Sequence, residues 1–191
     1  GRPTEALIHM EAFAERNMMV AARSGSSGMF FQTLGRLASA TEQHAESRSV
    51  EKVFDDFSAK AEKLDDPSPA VMAAIATHRA TRVAKQGDAS QARSLVEPYY
   101  AATKRSVEEN PADARAIRSF VSVLKHRVVV ERAIEGGNPE GAQEELSTYV
   151  AHAAEAQPKA AGSIYLSESL GRLSMLARTA PEDAEELLNE V

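Results

Sequence analysis

No cysteine occurs in the chain, which removes a disulfide framework, thiolate metal sites and a cysteine nucleophile, and leaves the compartment open. Tryptophan is absent and aromatic residues make up only 5%. Alanine and the helix-forming Glu, Gln, Lys and Arg fill most of what remains, so the composition predicts an all-α protein. No apolar run approaches the ~20 residues that cross a bilayer, and the N-terminus lacks a basic segment followed by a hydrophobic stretch; membrane insertion is not expected. A net charge of -6 runs against nucleic-acid binding, which needs a basic surface to neutralise phosphates. HExxH, a glycine-rich loop ending in GK[ST], GxSxG and an EF-hand loop are all missing. The chain is therefore expected to be non-catalytic and without a cofactor. The histidines His9, His44, His78, His126 and His152 fall in separate helices with no ligand-spaced partner except Glu155, so no metal site is expected.

What is present is helix punctuation. Asp66-Pro67, Ser68-Pro69, Asn110-Pro111, Asn138-Pro139, Gln157-Pro158 and Ala180-Pro181 each push the residue before proline out of the helical region. Ser68-Pro69, Asn110-Pro111 and Asn138-Pro139 also read as an N-cap followed by the first helical residue, and Asp88 with Gln91 resembles a capping box. The expected helices cover 4–22, 27–45, 49–65, 69–86, 89–109, 112–135, 139–156, 159–178 and 181–191. Pro98 predicts a kink or restart within the fifth. Gly25-Ser26-Ser27-Gly28 is read as a flexible link, because a phosphate loop would need a preceding strand. Met10, Phe13, Met18 and Met19 read as core.

Over 112–135, Ile117, Val121, Leu124 and Val128 form one helical stripe, and Val123, Val130 and Ile134 a second on another side. A helix apolar on two sides must lie between neighbours.

The tetrapeptide LGRL occurs at Leu34-Gly35-Arg36-Leu37 and again at Leu170-Gly171-Arg172-Leu173. Later helices carry pairs seven residues, or two turns, apart: Val50 and Phe57, Ala92 and Tyr99, Ala142 and Tyr149, Ala184 and Val191. Tyr99 and Tyr149 are expected to be largely buried at equivalent places. These features divide a single domain, 1–191, into units of about 27–67, 68–110, 111–157 and 158–191 after one leading helix. Leu34-Gly35 with Val50 and Phe54, and Leu170-Gly171 with Ala184 and Leu188, resemble the tetratricopeptide-like family of helical-hairpin repeats. The units are longer than the ~34 residues usual there, and the middle units replace Leu-Gly with alanines. The resemblance implies an α-α superhelix that binds a protein partner; a four-helix bundle with extra helices is the alternative architecture.

Arg118, Lys125 and Arg132 are spaced by seven with Arg115 one turn ahead, and Arg36, Arg82, Lys125 and Arg172 occupy similar places in successive first helices. On a concave surface these residues would form a basic ladder for an acidic peptide or a carboxylate-bearing chain terminus; charged residues on solvated helix faces are the plainer reading. The expected function is a protein-protein interaction scaffold. The alternative is an accessory or regulatory domain of a larger protein that holds a small ligand between helices. The apolar face of 181–191, with Ala184, Leu187, Leu188 and Val191, is expected to be covered by a further segment of a longer protein.

Overall fold

The computed structural model describes residues 2–44, 48–64, 66 and 68–179, the side chains of 2–4, 168 and 170–179 excepted. The described residues form eight helices: α1 (Arg2–Ser24), α2 (Gly28–His44), α3 (Val50–Glu62), α4 (Pro69–Lys85), α5 (Ala89–Glu109), α6 (Ala114–Ala133), α7 (Pro139–Ala156) and α8 (Pro158–Thr179). No strand occurs among the described residues. The segment 181–191, with its expected last helix and covering segment, lies outside them.

Local chemistry sets the helix starts. Ser49, Asp88, Asp113 and Asn138 accept from the main-chain N–H groups of Lys52 (3.1 Å), Gln91 (2.8 Å), Arg115 (2.8 Å) and Gly141 (2.9 Å), satisfying donors that a helix leaves open in its first turn. Pro69 and Pro139 take the first helical position as expected. Asn110-Pro111 does not. Asn110 closes α5, and the Asp113 N–H donates to the Asn110 carbonyl at 3.1 Å, a tight turn with proline second, where its fixed φ suits the chain. Asp113 then takes the cap. Helix α5 runs unbroken through Pro98; the carbonyl that proline deprives of a donor belongs to Ser94, an exposed residue.

Two helices are buried most deeply. Helix α4 touches α1, α2, α3, α5 and α6, and α6 touches α1, α4, α5, α7 and α8. Alanine makes α4 suited to this: Ala70, Ala73, Ala74 and Ala80 are fully buried, and small side chains let neighbouring backbones come close. The two-sided reading of α6 holds. Ile117, Val121 and Leu124 belong to a core shared with α7 and α8, while Val123, Val130 and Ile134 belong to one shared with α4 and α5. A third core, around Phe30, Leu34, Phe54 and Phe57, joins α1 to α4. Along the row, α2 touches α4, α4 touches α6 and α6 touches α8.

Three expectations about burial change. Met18 is buried and Met10 packs on the core, but Phe13 and Met19 are exposed. Each stands one residue, about 100° of helix, from the inward Ala14 and Met18. Tyr99 and Tyr149 are half-buried rather than sealed, although Ala92 and Ala142, two turns earlier, are buried. A tyrosine hydroxyl favours partial exposure, a demand that the fully buried Phe57 does not make. Burial still pushes the Tyr149 hydroxyl up to about 12.

Candidate functional site

The polar side chains of the row α2, α4 and α6 form two neighbouring assemblies joined by the ring of Phe31, which stacks on His78 (4.1 Å between centroids) and packs at a tilt on His126 (5.0 Å). One assembly is sealed. The other is open.

The sealed assembly clamps the turn between α1 and α2 onto α6. Ser27 Oγ is hydrogen-bonded to His126 Nε2 at 2.9 Å, the Ser27 N–H reaches Ser122 Oγ at 3.4 Å, and the Ser122 hydroxyl donates to the Gly25 carbonyl at 3.2 Å. Gly25 has φ +78°, and a Cβ there would stand 2.6 Å from the Arg115 carbonyl oxygen and 2.7 Å from Ser119 Oγ. Glycine is thus required both by its backbone conformation and by the close approach. The expected flexible link is a fixed junction, because α6 supplies the partners its main chain would otherwise find in water. Burial pushes His126 down to about 3, with smaller contributions from the charges of His78 and Lys125. A serine and a histidine at this distance match a nucleophile and its base. Ser27 is fully buried and His126 only 4% exposed, so no substrate reaches them and the pair serves the fold.

The ladder residues separate accordingly. Arg115 donates to the Ala22 carbonyl at 2.8 Å and pairs with Asp66 at 2.5 Å, and Arg118 donates to the Ser24 carbonyl at 2.7 Å. Both guanidinium groups cap the C-terminal end of α1, where carbonyls lack intrahelical partners and the helix dipole favours a cation. They are engaged by the chain's own backbone. Arg82 bridges Glu42 (3.4 Å) and Glu51 (3.3 Å). Lys125 and Arg132 are exposed on α6. The side chain of Arg172 lies outside the described residues. Arg36 is exposed on α2, with no ion-pair partner among the described residues.

Arg36 belongs to the open assembly, a groove of about 610 Å³ along α2 with His78 of α4 at its side. Gln32, Ser39 and Gln43 give it amide and hydroxyl groups, Ala40 and Phe31 an apolar part, and Arg36 its formal charge. Gly35 explains how His78 enters. A Cβ on Gly35 would stand 2.8 Å from His78 Cε1; its absence lets the imidazole lie against the α2 backbone, where His78 Nε2 meets the Phe31 carbonyl at 2.9 Å. A carbonyl oxygen only accepts, so Nε2 carries the proton and Nδ1 is left as an acceptor. Phe54 stacks on the same imidazole at 5.7 Å. Burial holds His78 below its usual range, with the Phe31 hydrogen bond opposing. The glycine of the first LGRL copy is thus a packing requirement. Its histidine partner lies on another helix, and no local pattern points to it.

No group of three or more His, Asp or Glu able to hold a metal occurs among the described residues, and no described helix is long and apolar enough to cross a membrane. No family model matches the chain, and neither a curated protein nor a solved structure shows significant similarity to it.

Proposed function

We propose that the chain is a non-catalytic interaction scaffold, an α-α superhelix of tetratricopeptide-like hairpins that holds an acidic partner segment on the face made by α2, α4 and α6. The observation that carries this reading is the groove beside α2: it is open, mixes apolar with amide and hydroxyl groups, and its one formal charge, on Arg36, has no intramolecular partner among the described residues. A cation held without a counter-charge in a concave, partly apolar surface favours an anionic partner. The succession of contacts α2 to α4, α4 to α6 and α6 to α8 supports stacked hairpins, as does the two-sided burial of α6.

A small-ligand domain is less well supported. The α2 groove has the volume of a small-molecule site, about 610 Å³ against ~300–1,000 Å³, but it is open to solvent and does not enclose a ligand; the void between α5 and α6, lined by Arg93, Val96, Arg127 and Glu131, is only about 50 Å³. Both of its arginines are also paired, Arg93 with Glu131 (2.7 Å) and Arg127 with Glu145 (2.5 Å).

Partner capture from a cell extract tests the proposal, comparing the chain with Arg36→Glu and with Arg105→Glu, an exposed cation on α5. Partners lost with the first variant and kept with the second support the scaffold. An identical partner set for all three proteins sinks it.

A further inference from the structure

We infer that the α2 groove reads an extended peptide around one internal acidic residue, with Arg36 taking its carboxylate and the Nδ1 of His78 accepting a main-chain N–H beside it. This rests on the scaffold reading above and specifies what the groove holds.

Three observations lead to it. The first is complementary polarity. The guanidinium of Arg36 only donates, and with Nε2 engaged by the Phe31 carbonyl, His78 offers the groove an acceptor. Nδ1 has no hydrogen-bond partner among the described residues. Ser68 Oγ is the one fully buried side-chain polar atom left unsatisfied among the described residues, so Nδ1 is not sealed, and its residue lines the groove. An acidic residue in a peptide carries the matching set, a carboxylate within a few bonds of N–H donors.

The second is rigidity. The imidazole is held between Phe31 and Phe54 and against the α2 backbone where Gly35 has no Cβ. An acceptor fixed in advance loses little entropy when it binds. This explains why a glycine, costly inside a helix by about 1 kcal/mol relative to alanine, stands at the middle of α2.

The third is position. From Phe31 to Gln43 the lined part of α2 is about 18 Å long at a rise of about 1.5 Å per residue, which matches about five extended residues. Arg36 sits near the middle of that stretch and not at an end. A chain terminus would place its carboxylate at one end, whereas a central cation suits a side chain with peptide running on both sides. Gln32, Ser39 and Gln43 flank it with groups that pair with either sense of the peptide bond.

The test uses the intact chain and seven-residue peptide libraries, fluorescein-labelled at the N-terminus and amidated at the C-terminus, with a fixed central Glu or central Gln. Fluorescence anisotropy should show the central-Gln library binding at least about tenfold more weakly. Arg36→Gln should remove the difference between the two. The ¹⁵N resonance of His78 Nδ1 should shift on binding as an acceptor does, while Nε2 stays protonated. A central-Gln library with a free C-terminal carboxylate should bind no better than its amidated form. Equal affinity for both libraries, no binding of either, discrimination that survives Arg36→Gln, or equal rescue by a free terminus would each overturn the inference. If the libraries fail while captured partners still depend on Arg36, only this inference falls; if partners are indifferent to Arg36, the scaffold reading falls with it.

Discussion

Two histidines flank the ring of Phe31 and do opposite work. His126, on α6, is sealed against Ser27 and helps clamp the α1–α2 turn; His78, on α4, lies against a glycine and lines an open groove. The arginines divide in the same way. Arg115 and Arg118 are spent on the end of α1, while Arg36 faces the groove without a partner among the described residues. In both regions a glycine lets side chain and backbone meet, and what separates structure from recognition is whether a polar group finds its partner within the chain. Residue type does not decide it.

The largest expected effect that breaks the comparison is at Gly25. Gly25→Ala places a Cβ at positive φ and against the Arg115 carbonyl, and should cost about 2–4 kcal/mol in denaturant unfolding, combining backbone strain with overpacking. Next comes pH. His126 titrates at about 3 in the folded chain against about 6.5 unfolded, so the unfolded state binds the extra proton as pH falls. Stability is complete above about pH 6.5 and is lost progressively down to about pH 3, roughly 2 kcal/mol of it by pH 5 at about 1.36 kcal/mol per unit. His78, also lowered by burial, acts in the same direction. Unfolding midpoints at pH 7 and pH 5 check this, and His126→Gln should flatten most of the slope.

Smaller effects sharpen the comparison. Arg118→Met leaves the Ser24 carbonyl without its donor and should cost about 1 kcal/mol in the same assay. Gly35→Ala should cost about 1 kcal/mol, overpacking against the fixed His78 imidazole outweighing the better helix propensity, and it should lose peptide binding. Arg36→Gln should leave stability within about 0.5 kcal/mol, as for other surface changes. A large stability loss there would mean that Arg36 belongs to the fold.

Helix positions were legible because prolines and capping residues mark them locally, and the burial of α6 was legible because its two stripes are both within one helix. The start of α6 was misplaced, since Asn110-Pro111 serves a turn as well as it serves a cap. Phe13 and Met19 were misassigned because apolar type alone does not say which side of a terminal helix is covered. The two sites were harder. Arg36 stood out in the sequence only through an expected repeat register, and the partners of Arg115 and Arg118 are main-chain carbonyls more than ninety residues away. His78 meets Gly35 and His126 meets Ser27 only through the packing of α2, α4 and α6, and neither spacing carries a periodic signal.

A ¹H–¹⁵N chemical-shift map of the intact chain with the central-Glu library tests the division between the two regions most directly. Shifts should concentrate at Gln32, Gly35, Arg36, Ser39 and His78 and leave Gly25, Ser27, Ser122 and His126 in place. Shifts centred on the Gly25–Ser27 junction, or spread over α5 and α7 with the groove unmoved, would contradict the account.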